Sequence, residues 1–471
     1  MDGFPPSVPP EVTRLIFLEA VKARGSKRAV RLRLVSRSWN LEATEALLES
    51  GMFYDRSMRN PVSPFWPKYL MRQLRQRESL CSRPLRILRK VAQRTVSFRT
   101  RTQETDDDTY NRWIEEYLWE ICQLYPRCIR VPYWLDAPSL ELWPIEPIQD
   151  AELEIKQAML AAAAATNDLA LVQELLPSFQ DFPGLISQDG EYHDEDYKLQ
   201  PVLGYPIEIA AFQGHVEILS MLLGTIESPL HLEDARADGI LAASRGNQIG
   251  TLDLCLKSKH QGYNDTLVNA LRTTTSVAVF DRIFPLWKDL LLDDGRSHWK
   301  PRSHTENQLL QSEFLTDRFH AAAGQANLDM MKHLVQLGAS SRCVYHQDRD
   351  SHLPNTRYLR NCVSLAAASG HSEVMAYLLE NGAEIGEGTL GAASMHGNAD
   401  CVRIALDYGA SHDDNIICES LIRAVEGEHE EVLRLLLHSF APLEEELWKQ
   451  ALDVARNEGL LSMAAVLEEH K

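Results

Sequence analysis

One stretch, CVSLAAASGHSEVMAYLLENGA, constrains the fold of this chain more than any other; it runs from Cys362 to Ala383. It predicts two short helices separated at Gly370, because glycine tolerates the left-handed backbone at which a helix ends. In the second helix, apolar residues have the i, i+1, i+4, i+5 spacing of one buried face, at Val374, Met375, Leu378 and Leu379. A unit this small cannot bury its own apolar face, so it has to stack on copies of itself.

Copies of this unit recur along the chain. Aligned on Gly370, they are centred on Asn167, Gly214, Gly246, Thr274, Ala326, Gly397, Glu428 and Glu458. Several intervals lie near a period of about 33 residues, and the pattern resembles ankyrin repeats. Pro206 stands at the proline of that family's T-P-L-H motif, and His320 stands at its histidine. The copies around Thr274, Glu428 and Glu458 are degenerate.

The resemblance implies an all-α protein: an ankyrin-repeat solenoid of helix-turn-helix units with short hairpin turns, preceded by a helical N-terminal module. It also implies a protein-binding function without catalysis. Alanine pairs mark where a helix passes close to its neighbour, so we expect three such pairs to be buried. They are Ala210-Ala211, Ala242-Ala243 and Ala366-Ala367.

The partner of such repeats is expected to contact exposed residues of the turns and the short inner helices. On this interpretation, the hypothetical partner-binding residues are Arg236, Arg245 and His396. Changes on the outer helices, such as Glu373, are expected to matter less.

A second resemblance lies in residues 8–55, where VPPEV is followed by an apolar helix and then by LRLRLVSRSWN. This segment resembles an F-box, the helical motif that binds the adaptor subunit of cullin–RING ubiquitin ligases. The resemblance assigns adaptor binding to Val8, Pro9, Glu11, Leu15, Ile16, Leu34, Val35 and Trp39. Together with the repeats, the segment is similar to the F-box-like ankyrin proteins of fungi.

This segment departs from the F-box pattern in two places. Val8 stands where leucine is usual, and the middle of the segment, VKARGSKRAV, is unusually basic. The alternative is a helical hairpin that only caps the solenoid, because amphipathic helices of this length commonly serve packing. In that case the same apolar residues are packed internally, and the chain is a scaffold with no link to ubiquitin.

The charge of the chain is divided unevenly. Residues 1–101 hold 21 Lys/Arg and 8 Asp/Glu, a net charge of +13, whereas the whole chain has a net charge of −19. The basic part is therefore expected to dock on the acidic solenoid or to form a solvated surface. The less favoured alternative is that residues 56–101 bind nucleic acid or an anionic membrane surface.

The sequence predicts three parts: an F-box-like module at 8–55, a basic and then aromatic-rich helical connector at 56–150, and about nine ankyrin units at 151–471. Insertions between repeats are expected near 177–204, 287–315 and 340–359. The acidic run from Glu104 to Asp108 is interpreted as a loop.

Motifs that carry catalytic or cofactor chemistry are weak or missing. Gly386–Gly391 matches G-x-G-x-x-G, but its glycines are interpreted as a turn between repeats, since a nucleotide site needs a preceding strand. The set Cys343, His346, His352 and Cys362 follows no regular zinc-ligand spacing. We therefore expect no enzymatic activity, no cofactor and no metal.

The eight cysteines are scattered, as in proteins that keep their thiols reduced, so a cytoplasmic or nuclear location is expected. The first twelve residues have no basic start and no apolar core, which argues against a signal peptide. No apolar stretch approaches the ~18 residues that a membrane helix requires.

Overall fold

The computed structural model describes eleven segments of the chain: residues 9–32, 36–50, 65–75, 83–102, 106–124, 152–179, 202–257, 264–292, 304–340, 362–410 and 413–470. It divides into two compact units, Met1–Thr273 and Thr274–Lys471. All regular elements within the described residues are helices, so the all-α prediction is confirmed.

The described residues of the first unit form five helices before the first repeat and seven from its start onward. The five are α1 (Pro10–Arg31), α2 (Arg37–Glu49), α3 (Trp66–Leu74), α4 (Arg83–Thr100) and α5 (Asp107–Leu124). The seven are α6 (Glu152–Thr166), α7 (Leu169–Leu175), α8 (Pro206–Gln213), α9 (Val216–Gly224), α10 (Pro229–Gly246), α11 (Ile249–Cys255) and α12 (Asn264–Thr273), with a 3₁₀ turn at Leu176–Phe179.

The second unit continues the alternation of helices. Its elements are α13 (Val277–Leu292), α14 (His304–Gly324), α15 (Leu328–Gln336), α16 (Cys362–Ser369), α17 (Ser372–Glu380), α18 (Thr389–His396), α19 (Ala399–Asp407), α20 (Asp414–Glu426), α21 (Glu430–Ser439), α22 (Glu445–Asn457) and α23 (Leu461–Glu469). The run Gly386–Gly391 leads into α18 from α17, so these glycines follow a helix rather than a strand.

Eight of the helical pairs in the described residues share one turn geometry; the pair of α12 and α13 does not. A residue with positive φ follows the first helix, at Asn167, Gly214, Asn247, Ala326, Gly370, Gly397, Glu428 and Gly459. The backbone N–H of the next residue then donates to an alanine carbonyl five positions back, as from His215 to Ala210 at 3.0 Å. The other acceptors are Ala163, Ala243, Ala322, Ala366, Ala393, Ala424 and Ala455. This bond satisfies a carbonyl that the end of a helix leaves without a partner.

The predicted alignment on the positive-φ residue is wrong at three positions. The positive φ belongs to Asn247 rather than Gly246, and to Gly459 rather than Glu458. Thr274 has no positive φ; it is buried, and its carbonyl accepts a 2.8 Å hydrogen bond from Nη2 of Arg318.

Small residues allow the inner helices to approach one another. The six alanines predicted to be buried each have 0% of their surface exposed, which confirms that prediction: they are Ala210, Ala211, Ala242, Ala243, Ala366 and Ala367. Where α8 packs on α10, a Cβ on Gly246 would lie 2.0 Å from the carbonyl oxygen of Phe212. Gly246 is therefore required by close approach, not by its backbone angle.

Helix α4 packs on α6, and two ion pairs join these helices. Arg83 pairs with Glu154 at 2.9 Å, and Arg94 pairs with Glu152 at 2.8 Å. The hydrogen bond from Arg94 lowers the pKa of the Glu152 carboxyl. Both glutamates lie near the start of α6, where negative charge also favours the helix dipole.

The interpretation of the acidic run as a loop is wrong at its C-terminal end, because α5 begins at Asp107. Asp106 caps this helix: its Oδ1 accepts a 2.8 Å hydrogen bond from the backbone N–H of Thr109. That bond, and a second from the Thr109 hydroxyl, lower the pKa of Asp106. Acidic residues stabilise a helix N-terminus by capping it and by interacting with the helix dipole. An acidic run can therefore begin a helix as well as form a loop. Glu104 lies outside the described residues.

Candidate protein-binding surfaces

One face of α1 packs against α2 and forms a small apolar core with it. Phe17 and Val21 are buried, and the ring of Phe17 meets the ring of Trp39 edge-on, with the ring centres 4.9 Å apart. From α2, the buried residues are Ala43, Ala46, Leu47 and Leu48. Trp39 thus belongs to the interior of the hairpin, although part of its surface remains accessible.

A different face of α1 carries apolar side chains that remain in water. Val12 is 43% exposed, Leu15 is 59% exposed and Ile16 is 45% exposed. Their i, i+3, i+4 spacing places them on one face of the helix. We call these three residues the α1 stripe.

The structure describes five of the eight residues predicted to bind an adaptor. Pro9 and Glu11 are exposed beside the α1 stripe, Leu15 and Ile16 belong to it, and Trp39 packs inside the hairpin. Val8, Leu34 and Val35 lie outside the described residues.

A chain of ion pairs joins α1, α2 and α3. Nη2 of Arg14 lies 2.6 Å from Oε2 of Glu49, and that same oxygen lies 3.5 Å from Nη2 of Arg72. Arg72 also reaches Glu45 at 2.6 Å. The hydrogen bond to Glu49 raises the pKa of Arg14. The hairpin that carries the α1 stripe is therefore braced on α3, although exposed pairs of this kind are each worth only ~0–1 kcal/mol.

The residues predicted to bind a partner on the repeats lie in both units. Arg236 and Arg245 lie on α10 of the first unit and are half-buried, and Arg245 reaches Glu208 of α8 at 3.5 Å. His396 is exposed in the last turn of α18, in the second unit. Arg245 thus contributes to packing between neighbouring inner helices, whereas His396 is open to solvent.

The outer helices of the second unit are joined by ion pairs. Arg403 of α19 reaches Glu431 of α21 at 2.6 Å, and Arg434 of α21 reaches Glu469 of α23 at 3.0 Å. These side chains are engaged within the array.

A cleft of about 780 Å³ opens between α2, α3 and α5. It is not among the sites predicted from the sequence. Its lining residues are Asn40, Leu41, Thr44, Glu45, Leu48, Lys68, Met71, Arg72, Arg75, Arg112, Glu115, Glu116 and Trp119. The only signal in the sequence is the i, i+3, i+4, i+7 spacing of the lining residues on α3 and on α5. Nothing in the sequence indicates that these faces meet.

The free cysteines of the described residues are Cys122, Cys255, Cys401 and Cys418. Burial raises the pKa of Cys122 and of Cys255 to about 12, and that of Cys401 to about 11. Cys362 differs from the expectation of reduced thiols, because it is disulfide-bonded. The other members of the zinc-like set, Cys343, His346 and His352, lie outside the described residues.

Comparison with known protein families supports the repeat assignment. The family model described as ankyrin repeats matches residues 363–446, in three copies. Residues 363–446 therefore form a protein–protein interaction module. Ankyrin repeats typically bind other proteins and have no catalytic role of their own. No curated protein matches the sequence.

Two further findings concern the described residues alone. Among their helices, none is both long enough and apolar enough to span a bilayer. Nor do these residues contain three or more His, Cys, Asp or Glu side chains grouped so that they could hold a metal ion.

Proposed function

We propose that this chain is a receptor that holds a client protein on its ankyrin repeats and binds the adaptor subunit of a cullin–RING ubiquitin ligase through α1. One observation carries the adaptor part of the proposal: Val12, Leu15 and Ile16 remain 43–59% exposed on a single helix face. Exposed apolar residues that cluster on one face mark a surface that a partner covers.

The same observation favours the receptor over the alternative of a capping hairpin. A hairpin that only caps the repeats would pack the residues of the α1 stripe internally. Instead, Phe17 and Val21 fill the hairpin core, while Leu15 and Ile16 stay in solvent. The α1 stripe is therefore not needed for packing within the described residues.

On the repeats, we propose that the client contacts the turns and inner helices, with His396 as a contact residue. Arg236 and Arg245 lie on the equivalent inner helix of the first unit, and they contribute through packing as well as through charge. A receptor of this kind acts in the cytoplasm or nucleus, where its ligase partners are found. His396→Glu should weaken client binding more than Glu373→Lys on the outer helix.

Binding of nucleic acid by residues 56–101 is less well supported. The arginines of α4 that face the first repeat, Arg83, Arg94 and Arg99, are each engaged with a carboxylate. These side chains are not available to phosphate groups unless the repeat is displaced.

The adaptor test uses the full-length chain with Leu15→Ala and Ile16→Ala combined. Truncating central apolar contacts of an interface costs about 2 kcal/mol or more, so retention of purified adaptor should fall by roughly thirtyfold. The melting temperature should not change, because both side chains are exposed. The matched control is Leu230→Ala, at a residue of α10 that is 66% exposed and far along the chain from α1.

Two results would count against the adaptor part. If the wild-type chain does not retain adaptor at micromolar concentrations, the link to ubiquitin fails and the scaffold alternative stands. If binding is present but unaffected by the double substitution, the α1 stripe is not the contact surface.

A further inference from the structure

The cleft between α2, α3 and α5 has an apolar floor and an open rim. Thr44, Leu48 and Met71 are buried at its base, with 5–7% of their surfaces exposed. Two large apolar side chains lie at the rim: Leu41 is 64% exposed and Trp119 is 37% exposed. Apolar groups therefore line this cleft at two depths.

Ion pairs cancel most of the charge in the lining. Arg72 pairs with Glu45 at 2.6 Å, and Arg75 pairs with Glu115 at 2.8 Å. The third pair is Arg112 with Glu116, at 4.0 Å. Because Arg72 reaches α2 and Arg75 reaches α5, the first two pairs also fix the spacing of the three helices.

After these pairs are counted, one charge in the lining remains. Lys68 is exposed and has no carboxylate partner among the described residues. It lies in the first turn of α3, which begins at Trp66. The positive end of the helix dipole adds to the charge of the lysine, so a carboxylate is favoured there.

The open rim favours a polypeptide segment over a small molecule. Sites for small ligands are concave and bury most of the ligand. Here the side chains of Arg75, Arg112 and Glu116 are 64–66% exposed, so the cleft is open to solvent along one side. A chain segment that lies along such a groove anchors through one or a few large side chains.

We propose that this cleft is a second docking site, which takes a short segment of a partner protein carrying one large apolar side chain and one carboxylate. The apolar side chain packs between Leu41 and Trp119, over the buried floor. The carboxylate pairs with Lys68. This site does not depend on the α1 stripe, and none of the three stripe residues lines the cleft.

The test is selection of a display library of short random peptides on the immobilised full-length chain. The enriched peptides should combine an aromatic or large aliphatic residue with Asp or Glu. Synthetic copies should bind about tenfold more weakly to the Lys68→Glu variant, and about tenfold more weakly to the Leu41→Ala variant. A peptide whose acidic residue is replaced by Lys should regain affinity for Lys68→Glu.

The chain offers matched controls for both substitutions. Lys449→Glu makes the same charge change at an exposed position of α22, and Leu230→Ala makes the same truncation at an exposed position of α10. Neither control should alter peptide binding. Thermal melts of all four variants should match the wild type, since each substituted side chain is exposed.

Three results would overturn the proposal. The first is that no peptide is enriched, and the second is that the enriched peptides bind both cleft variants as tightly as they bind the wild type. The third is self-association of the chain that Leu41→Ala abolishes, because a second copy would then occupy the cleft. The Leu15 and Ile16 double variant tests only the proposed adaptor binding. Its result does not test the cleft, because neither residue lines it.

Discussion

Arg99 and Asp168 join the helices that precede the repeats to the turn of the first repeat. Nε of Arg99 lies 2.9 Å from Oδ2 of Asp168, while Oδ1 of the same carboxylate accepts a 3.1 Å hydrogen bond from the backbone N–H of Leu171. The guanidinium also lies over the ring of Tyr117, with Cζ 4.9 Å from the ring centre. Asp168 thus caps α7 and holds α4 through one side chain.

The first prediction separates these two roles of Asp168. Asp168→Ala removes both the cap and the ion pair, and we expect it to lower the free energy of unfolding by about 1–2 kcal/mol. Asp168→Asn keeps an acceptor for the cap and loses only the charge, so its loss should be below about 1 kcal/mol. Urea denaturation measures both. Equal losses would contradict the capping role.

The second prediction concerns the close approach of α8 and α10. Gly246→Ala would place a Cβ 2.0 Å from the Phe212 carbonyl oxygen, so the helices must separate. Overpacking of this kind typically costs about 1–3 kcal/mol. Gly224→Ala is the control, because no atom lies within 4 Å of its added Cβ. The control should leave the urea midpoint unchanged or raise it; a larger loss there than at Gly246 would disprove the packing argument.

The third prediction concerns a hydrogen bond between neighbouring repeats. Nδ2 of Asn398 donates to the Ala367 carbonyl oxygen at 2.7 Å. Asn398→Ala removes this bond and should cost about 1 kcal/mol in the free energy of unfolding. Asn398→His should recover part of it, because Nε2 of His429, at the same place in a later turn, lies 3.1 Å from the Met395 carbonyl oxygen. An unchanged free energy of unfolding in Asn398→Ala would show that this contact contributes nothing.

The fourth prediction concerns thiol reactivity. With a pKa of about 12 for Cys122 and Cys255, roughly one thiol in ten thousand is ionised at pH 8, and only the thiolate is alkylated rapidly. Cys418 is only partly buried, although burial raises its pKa as well. Iodoacetamide should therefore modify Cys418 before the two buried cysteines, as followed by peptide mass spectrometry. Modification of Cys122 at the rate of Cys418 would contradict the burial of α5.

The repeat turns show how far the sequence predicts the backbone. At Gly214, Gly370 and Gly397, a glycine both ends a helix and takes the positive φ, so the alignment on glycine is correct. Gly246 is needed for a different reason, because the Phe212 carbonyl oxygen lies too close for a Cβ. The residue with positive φ is Asn247 instead. One residue type serves two physical purposes, and a single sequence does not distinguish them.

The candidate surfaces are less predictable than the turns. Apolar spacing indicates that Leu15 and Ile16 share a helix face with Val12, but not whether another helix covers that face. Since Phe17 also lies on α1, only the packing decides which face is internal. The cleft depends on three helices that are separated in sequence, and its ion pairs follow from their tertiary arrangement.

Three side-chain contacts between neighbouring turns of the described residues point the same way along the chain. Asn398 reaches back to Ala367, His429 to Met395, and the hydroxyl of Thr251 donates to the Ala211 carbonyl oxygen at 2.8 Å. In each case the side chain belongs to the later repeat and the carbonyl to the earlier one. During synthesis on the ribosome, an emerging repeat therefore brings the group that fastens it to the repeat already made.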